Sequence, residues 1–223
     1  HLYPEVVNIH TKEPSVEVKD GRRFPYDVLV MATGTAAVVP NMPGVHLPGV
    51  FSLRNLEDAI HIKTWLRGKN AKRVVVIGGG FIGLEMSEAL YAAGVKTTII
   101  HKDPLPANRW DRALSSMMLE DLQAHGVDFV GNAAAQAIEE GTNAPLRVKT
   151  DKGEYEGDLV LLAIGVRPDS RLAQSIGLKV GSSGAIAVNF AQQASMENVY
   201  AAGDCCESFH RVSRRWVNIP LGD

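Results

Sequence analysis

The sequence predicts an α/β fold in which a largely parallel sheet packs against helices. Short apolar segments of strand length alternate with helical segments, as in residues 74–100. The first of these strands, residues 74–77, is apolar at every position, which is typical of a strand covered on both faces. A glycine-rich turn then joins this strand to a helix, as at the start of a nucleotide-binding unit.

The helix after the glycine turn is amphipathic, and Gly94 is placed to end it. Its predicted inner face follows helical spacing: Ile82, Met86, Ala89, Leu90 and Ala93. Residues 97–100 form the second predicted strand.

Asp111 is placed to cap a second helix that ends at Gly126, and residues 127–130 form a third strand. The apolar positions of this second helix are Leu114, Met118 and Leu122. The resulting β-α-β-α-β order predicts a Rossmann-like unit, one half of a doubly wound fold.

Residues 133–164 read as short strands, and we expect an antiparallel meander that returns to the main sheet. A weak internal repeat relates residues 16–34 to residues 146–165. In each copy a polar hairpin leads to a buried strand that ends at a glycine, Gly34 or Gly165. Between the copies, residues 55–68 predict a linking helix with Asn55 and Asp58 at its start and Gly68 at its end.

The composition favours an ordinary globular protein and a cytoplasmic location. A net charge of −2 gives no reason to expect nucleic acid or an anionic membrane as a partner, and no apolar run is long enough to span a bilayer. No metal-ligand spacing, nucleophile elbow or signal segment stands out. The chain starts with His1, and we expect it to be a piece of a longer protein.

The strongest local signal is the set of glycines Gly78, Gly80 and Gly83 between an apolar strand and an amphipathic helix. In such a motif the first glycine permits the turn, the second admits a pyrophosphate and the third lets helix and strand pack. The free amides at the helix start then favour phosphate. Glu85 reads either as a first-turn carboxylate or as a contact to ribose or nicotinamide.

The end of the second strand determines which nucleotide we expect. An acidic residue there would hold the adenosine ribose, but the sequence has His101 and Lys102. Donors or cations at this point favour the 2′-phosphate of NADPH over NADH. Two alternatives stay open, namely that both side chains are simply solvated, or that Asp103 restores the acidic partner. Arg109 and Arg112 could add positive charge.

Residues 198–208 form a second informative stretch, in which Gly203 and Asp204 follow a short strand. Such a turn can bring a carboxylate to a chain of hydroxyl groups. The adjacent Cys205 and Cys206 allow a redox dithiol, but adjacent cysteines suit a reversible disulfide poorly, so we favour small buried core residues. The basic residues that follow read as a solvated loop, with a phosphate-bearing ligand as the alternative: His210, Arg211, Arg214 and Arg215.

Four stretches, in this order, resemble the FAD-dependent pyridine nucleotide–disulfide oxidoreductases. Within them the chain is most similar to the group of coenzyme A-disulfide reductases, NADH oxidases and NADH peroxidases. The stretches are YDVLVMATG (26–34), VVVIGGGFIGLE (74–85), LLAIGVRPDS (161–170) and NVYAAGD (198–204). Four ordered motifs that span nearly the whole chain are more specific than any one of them.

The resemblance implies that hydride passes from NAD(P)H to FAD, and electrons then pass to a disulfide, persulfide, peroxide or oxygen. The implied NADPH or NADH site consists of Gly78, Gly80, Phe81, Ile82, Gly83, Glu85, His101, Lys102 and Gly165. The implied FAD contacts are Thr33, Gly34, Gly203 and Asp204, with Asp204 at the ribityl chain or pyrophosphate.

The resemblance also implies a division of the chain and a homodimeric parent protein. The segments are residues 1–54 as part of the FAD-binding domain, 55–72 as a linker helix, 73–170 as the NAD(P)H-binding domain and 171–223 as the return to the FAD-binding domain. The family's first glycine fingerprint and redox cysteine do not occur here, so we assign no catalytic residue. We expect a nucleotide-binding region of an oxidoreductase, with a flavin-free binding module or sensor as the alternative.

Overall fold

The computed structural model describes residues 4–219, so the outermost residues of the first and last predicted segments lie outside it. The chain forms two compact units. One unit takes in the chain up to Ala36 and again from Val166, and the other takes in Ala37–Gly165. Among the described residues, no helix is long and apolar enough to cross a membrane.

Helices and strands alternate along the described chain. The strands are β1 (Val6–His10), β2 (Ser15–Val18), β3 (Arg23–Pro25), β4 (Leu29–Met31), β5 (Thr35–Ala37), β6 (Val50–Ser52), β7 (Arg73–Ile77), β8 (Lys96–Ile100), β9 (Asp128–Val130), β10 (Ala135–Glu140), β11 (Leu146–Thr150), β12 (Gly153–Gly157), β13 (Leu159–Leu162), β14 (Val166–Pro168), β15 (Val199–Ala201), β16 (Ser208–His210) and β17 (Arg215–Val217). The helices are α1 (Leu56–Gly68), α2 (Phe81–Ala92), α3 (Arg112–Ala124) and α4 (Arg171–Ser175), with a 3₁₀ turn at Gly203–Cys205.

A five-stranded sheet with the order β6-β13-β7-β8-β9 forms the centre of the second unit. Its strands are all parallel, which confirms the predicted α/β fold and its first three strands. The central strands β7 and β13 are apolar and buried almost throughout, because both faces of the sheet are covered.

The two faces of this sheet have different partners. Val74 and Val76 of β7 pack on the side of Ile62 from α1 and Leu90 from α2. Val75 lies on the opposite side with the apolar residues of the meander β10-β11-β12. The predicted meander and its return to the main sheet through β13 are therefore confirmed. The helix read from the sequence as a linker also packs here, and its Trp65 Nε1 donates to the Asp158 carbonyl at 3.0 Å.

The first unit repeats this plan in smaller form. The antiparallel strands β1-β2-β3 lead into β4, which pairs in parallel with β15. Each meander is thus followed by a strand in a parallel pairing and then by a glycine with positive φ, 63° at Gly34 and 115° at Gly165. This shared order supports the internal repeat seen in the sequence.

The helix ends agree with the predictions from the sequence. Gly94 and Gly126 follow α2 and α3 with φ values of 70° and 71°, as the C′ glycines of Schellman motifs. Helix α1 ends at Gly68 as predicted, and the left-handed position after it belongs to Asn70, with φ of 48°. Asn55 caps the start of α1 as predicted.

Parts of the predicted inner faces were wrong. Ala89 of α2 is exposed, and so is Ala93 just after its end. Gly83 and Ser87 are buried instead, because small residues let the helix approach the sheet closely. In α3, Leu114 is 48% exposed, and Ser115 is the buried residue. A search for large apolar side chains overlooks such small, close-packed positions.

Candidate nucleotide-binding site

The predicted glycine turn lies at the carboxyl edge of the parallel sheet of the second unit. Ile77, Ile100 and Leu162 are the last residues of three neighbouring strands and lie in register with one another. The residues that follow these strands therefore meet at one edge, which is where open α/β sheets bind ligands. Gly78 and His101 are two of these residues.

Gly78 is required by the path of the backbone. Its φ is 115°, and its amide donates to the Ile100 carbonyl at 2.8 Å. A Cβ atom at this position would lie 2.3 Å from the carbonyl oxygen of Ala163, in the neighbouring strand connection. Both the conformation and the close approach of β13 thus favour glycine.

Gly83 is required by packing between the helix and the turn. A Cβ atom here would lie 2.0 Å from the carbonyl oxygen of Gly78. The buried hydroxyl of Ser87, one turn later, donates to the Gly83 carbonyl at 2.7 Å. The first turn of α2 therefore rests directly on the glycine turn.

Gly80 differs from its neighbours because none of the residues that the structure describes fills the space beside it. It is the N-cap of α2 in extended conformation, and no side chain caps the helix. A Cβ atom at Gly80 would meet no atom within 4 Å. Since the first amides of a helix lack intrahelical acceptors and carry partial positive charge, this space suits an anionic group such as a pyrophosphate.

His101 lies beneath the turn. It is 9% exposed, and its Nδ1 accepts a hydrogen bond of 3.1 Å from the amide of Gly79. The alternative of a solvated side chain is therefore wrong for His101. Burial lowers the pKa of His101, the nearby Asp103 carboxylate partly offsets this effect, and Lys102 adds to it. His101 is thus neutral at pH 7, and it is not a cation facing solvent.

The loop between β8 and α3 is fastened to the glycine turn. The amide of Ala107 donates to the Gly79 carbonyl at 2.8 Å, and the buried Ser115 hydroxyl donates to the Ala107 carbonyl at 3.2 Å. The rings of Phe81 and Trp110 lie 5.5 Å apart between centroids. Ala107 and Trp110 were not predicted from the sequence, since neither belongs to a recognisable motif.

The charged residues of this loop differ in exposure. Lys102 and Arg109 are exposed. The carboxylate of Asp103 accepts a hydrogen bond from the Asn108 amide and lies 3.6 Å from His101 Nε2. Lys102 and Arg109 are thus accessible at this edge of the sheet, whereas Asp103 is drawn into contacts within its own loop.

The other residues predicted for this site are less distinctive. Glu85 is exposed, and Gly165 is exposed with open space beside its Cα. Ile82 packs against the core of the sheet. The two interpretations of Glu85 stay open, because no hydrogen bond or ion pair holds its carboxylate within the described chain.

The four residues assigned to FAD meet at one edge of the first unit. β4 and β15 run parallel with Met31 opposite Ala201, and the Ala202 amide donates to the Met31 carbonyl at 3.0 Å. Thr33 and Gly34 therefore follow β4 at the same edge at which Gly203 and Asp204 follow β15. Gly203 has a φ of 78° and begins the 3₁₀ turn, and Asn218 donates to the Asp204 carbonyl at 2.8 Å.

The adjacent cysteines belong to the core of the first unit. Both thiols are free, and Cys205 is fully buried while Cys206 is 7% exposed. Hydrogen bonding with Cys205, together with burial, raises the pKa of Cys206. The interpretation as small buried core residues is confirmed.

The basic residues His210, Arg211, Arg214 and Arg215 are exposed on the β16–β17 hairpin, as the solvated-loop interpretation predicted.

Comparison with known proteins agrees with this architecture. Residues 2–218 match the family model described as pyridine nucleotide-disulphide oxidoreductase. The NAD(P)H sulfur oxidoreductase (CoA-dependent) of Pyrococcus abyssi is 38% identical over 226 residues, which cover 99% of this chain and 50% of that protein. The chain thus spans about half the length of the curated relatives that it matches.

Two solved structures show the same fold. Reduced CoADR-RHD of Bacillus anthracis superposes with a TM-score of 0.90 at 33% identity, covering 97% of this chain and 40% of that one. The water-forming NADH oxidase of Lactobacillus brevis, bound to NADH, has a TM-score of 0.89 at 29% identity, covering 97% and 49%. The match to the family model over nearly the entire sequence shows that this chain belongs to the pyridine nucleotide-disulphide oxidoreductase family.

Proposed function

We propose that residues 73–170 form the NAD(P)H-binding region of a flavoprotein oxidoreductase. The observation that carries this proposal is the uncapped start of α2 with open space beside Gly80. Gly78 and Gly83 are forced by contacts within the protein, but no such contact requires Gly80. A glycine at Gly80 is explained if a pyrophosphate approaches the backbone there.

We further propose that the site prefers NADPH. Lys102 is exposed at the strand end, where its ammonium group can meet a 2′-phosphate. Arg109 lies two residues after Ala107, the residue fastened to the glycine turn, and supplies a second exposed cation. The carboxylate of Asp103, the acidic alternative, is less available to a ribose because it already accepts a hydrogen bond from the Asn108 amide.

The first unit is proposed to complete an FAD site in the longer protein, through Thr33, Gly34, Gly203 and Asp204. The open backbone of Gly203, with its positive φ, would let a flavin chain approach, and Asp204 would accept hydrogen bonds from its hydroxyl groups. Bound FAD would supply the hydride acceptor. The names of the relatives support sulfur species, disulfide or oxygen as the final acceptor.

The direct test is a calorimetric titration of the chain with NADPH and, separately, with NADH. We expect NADPH to bind at least about tenfold more tightly, roughly 1.4 kcal/mol. Lys102→Glu should remove this preference, because it replaces a phosphate partner by a repelling charge. Lys63→Glu, the same charge change on an exposed position of α1, is the matched control and should leave the preference intact.

Each outcome of this titration has one meaning. Equal or tighter binding of NADH would contradict the role of Lys102 and leave Asp103 as the ribose partner. Binding of neither nucleotide would contradict the nucleotide-binding function itself. The flavin-free alternative is tested on the longer protein, which should be isolated with bound flavin if it is an oxidoreductase and without flavin if it is a sensor.

A further inference from the structure

One side chain of the site has a hydrogen-bonding pattern that the proposed function does not explain. His101 is buried, and its Nδ1 accepts from the Gly79 amide, so its proton must lie on Nε2. Nε2 is itself buried and has no hydrogen-bond partner among the described residues. Leaving a buried polar atom without a partner costs free energy. We therefore expect this imidazole to provide a stabilising interaction elsewhere.

This interaction is the hydrogen bond that the imidazole accepts from the glycine turn. Gly79 occupies the middle of the turn and is buried, and its amide donates to the imidazole. Its carbonyl, in turn, accepts from Ala107 at 2.8 Å. A Cβ atom on Gly79 would lie 3.1 Å from both the His101 ring and the Phe129 ring, so the peptide sits closely on these two side chains. The imidazole therefore fixes the peptide group between Gly78 and Gly79, and the Ala107 amide holds the following group between Gly79 and Gly80.

We propose that His101 is a positioning residue for the dinucleotide pyrophosphate: its neutral Nε2–H tautomer holds the Gly79 peptide so that the Gly80 backbone and the first amides of α2 face the ligand. This inference rests on the proposed function. It assigns His101 to the part of the ligand that NADPH and NADH share and leaves the choice between them to Lys102. His101 thus acts through Gly79 and does not touch the 2′-phosphate.

Protonation of His101 would reverse the interaction. A proton on Nδ1 would face the Gly79 N–H, so two donors would oppose each other. The charged groups near the ring are Asp103, 3.6 Å from Nε2, and Lys102, both from the loop that follows its own strand. The neighbours from the other elements are the Gly79 amide and the uncharged Phe129 ring. Nucleotide affinity should therefore fall once the pH drops to the lowered pKa of His101.

The experiment compares two variants by calorimetric titration with NADPH and NADH. His101→Leu keeps the bulk but removes the acceptor, and we expect both nucleotides to bind about tenfold more weakly, by the same factor. His101→Asn places a carboxamide oxygen near the position of Nδ1 and should restore most of the affinity. His46→Leu, at an exposed position in the same unit, is the control.

The pH dependence supplies an independent readout that does not need His101→Leu to fold. NADH is the ligand here, because it lacks the 2′-phosphate, which itself titrates near pH 6 as other phosphate monoesters do. Wild-type affinity should fall as the pH drops through the lowered pKa of His101, and the affinity of His101→Asn should fall less, because its acceptor does not titrate.

Several results would overturn the inference. Equal pH profiles for the wild type and His101→Asn would do so, and so would a folded His101→Leu that binds as tightly as the wild type. A His101→Leu that weakens NADPH alone would show direct reading of the 2′-phosphate instead. A wild-type chain that binds neither nucleotide would overturn the proposed function and this inference together, whereas the other results leave the proposed function standing.

Discussion

Replacing Gly80 by alanine should weaken nucleotide binding markedly while leaving the fold intact. The new methyl group meets no protein atom within 4 Å, and the backbone φ of −85° is open to any residue. The stability should therefore change by no more than about 1 kcal/mol, the order of an N-cap effect. The methyl group instead occupies the space proposed for the pyrophosphate, and we expect the affinity for both nucleotides to fall at least about tenfold.

Calorimetric titration and urea unfolding of the same preparation check the two halves of this expectation. Gly68→Ala, in α1, is the matched control, since its added methyl group also meets nothing within 4 Å and lies outside the site. It should bind as the wild type does. Unchanged affinity in a folded Gly80→Ala would mean that the space beside Gly80 does not receive the ligand.

Replacing Gly83 by alanine, only three residues later, should have the opposite effect on the fold. Its methyl group would lie 2.0 Å from the Gly78 carbonyl oxygen, a distance that forces helix and turn apart. We expect a loss of about 1–3 kcal/mol in the free energy of unfolding, the usual range for overpacking. Over most of this range the loss exceeds the gain of roughly 1 kcal/mol that alanine brings to a helix interior.

The midpoint of urea unfolding measures the change, and Gly68→Ala again serves as the control. There, with no clash to offset it, the helix-propensity gain should raise the midpoint. A Gly83→Ala chain as stable as the wild type would show that α2 can move away from the turn without cost. Packing within the protein would then not explain the glycine at this position, and contact with the ligand would have to explain it.

The fold was predictable where the pattern is local and repeated. The apolar run of β7, the glycine that follows α2 and the asparagine cap of α1 each reflect one rule of strand or helix formation. The inner face of α2 was less predictable. Its burial depends on how closely Gly83 and Ser87 let the helix approach the sheet, and hydrophobicity does not report this.

The glycines of the site were predictable from the sequence, but the placement of the His101 side chain at the end of β8 was not. Gly78 and Gly83 have the close contacts that the motif requires. His101 was read as a solvated or phosphate-binding side chain, because sequence spacing places it at the strand end without giving the direction of its ring. Its burial under Gly79 follows from the fold of the loop through Ala107, a tertiary contact with no sequence signature.

The most direct test of the central claim is to follow the backbone amide resonances of the chain by NMR during titration with NADPH. If the dinucleotide binds at the glycine turn, the largest shifts should come from Gly79, Gly80 and the first turn of α2, with Lys102 next. Shifts confined to the first unit, or no shifts at NADPH concentrations up to the millimolar range, would contradict the account.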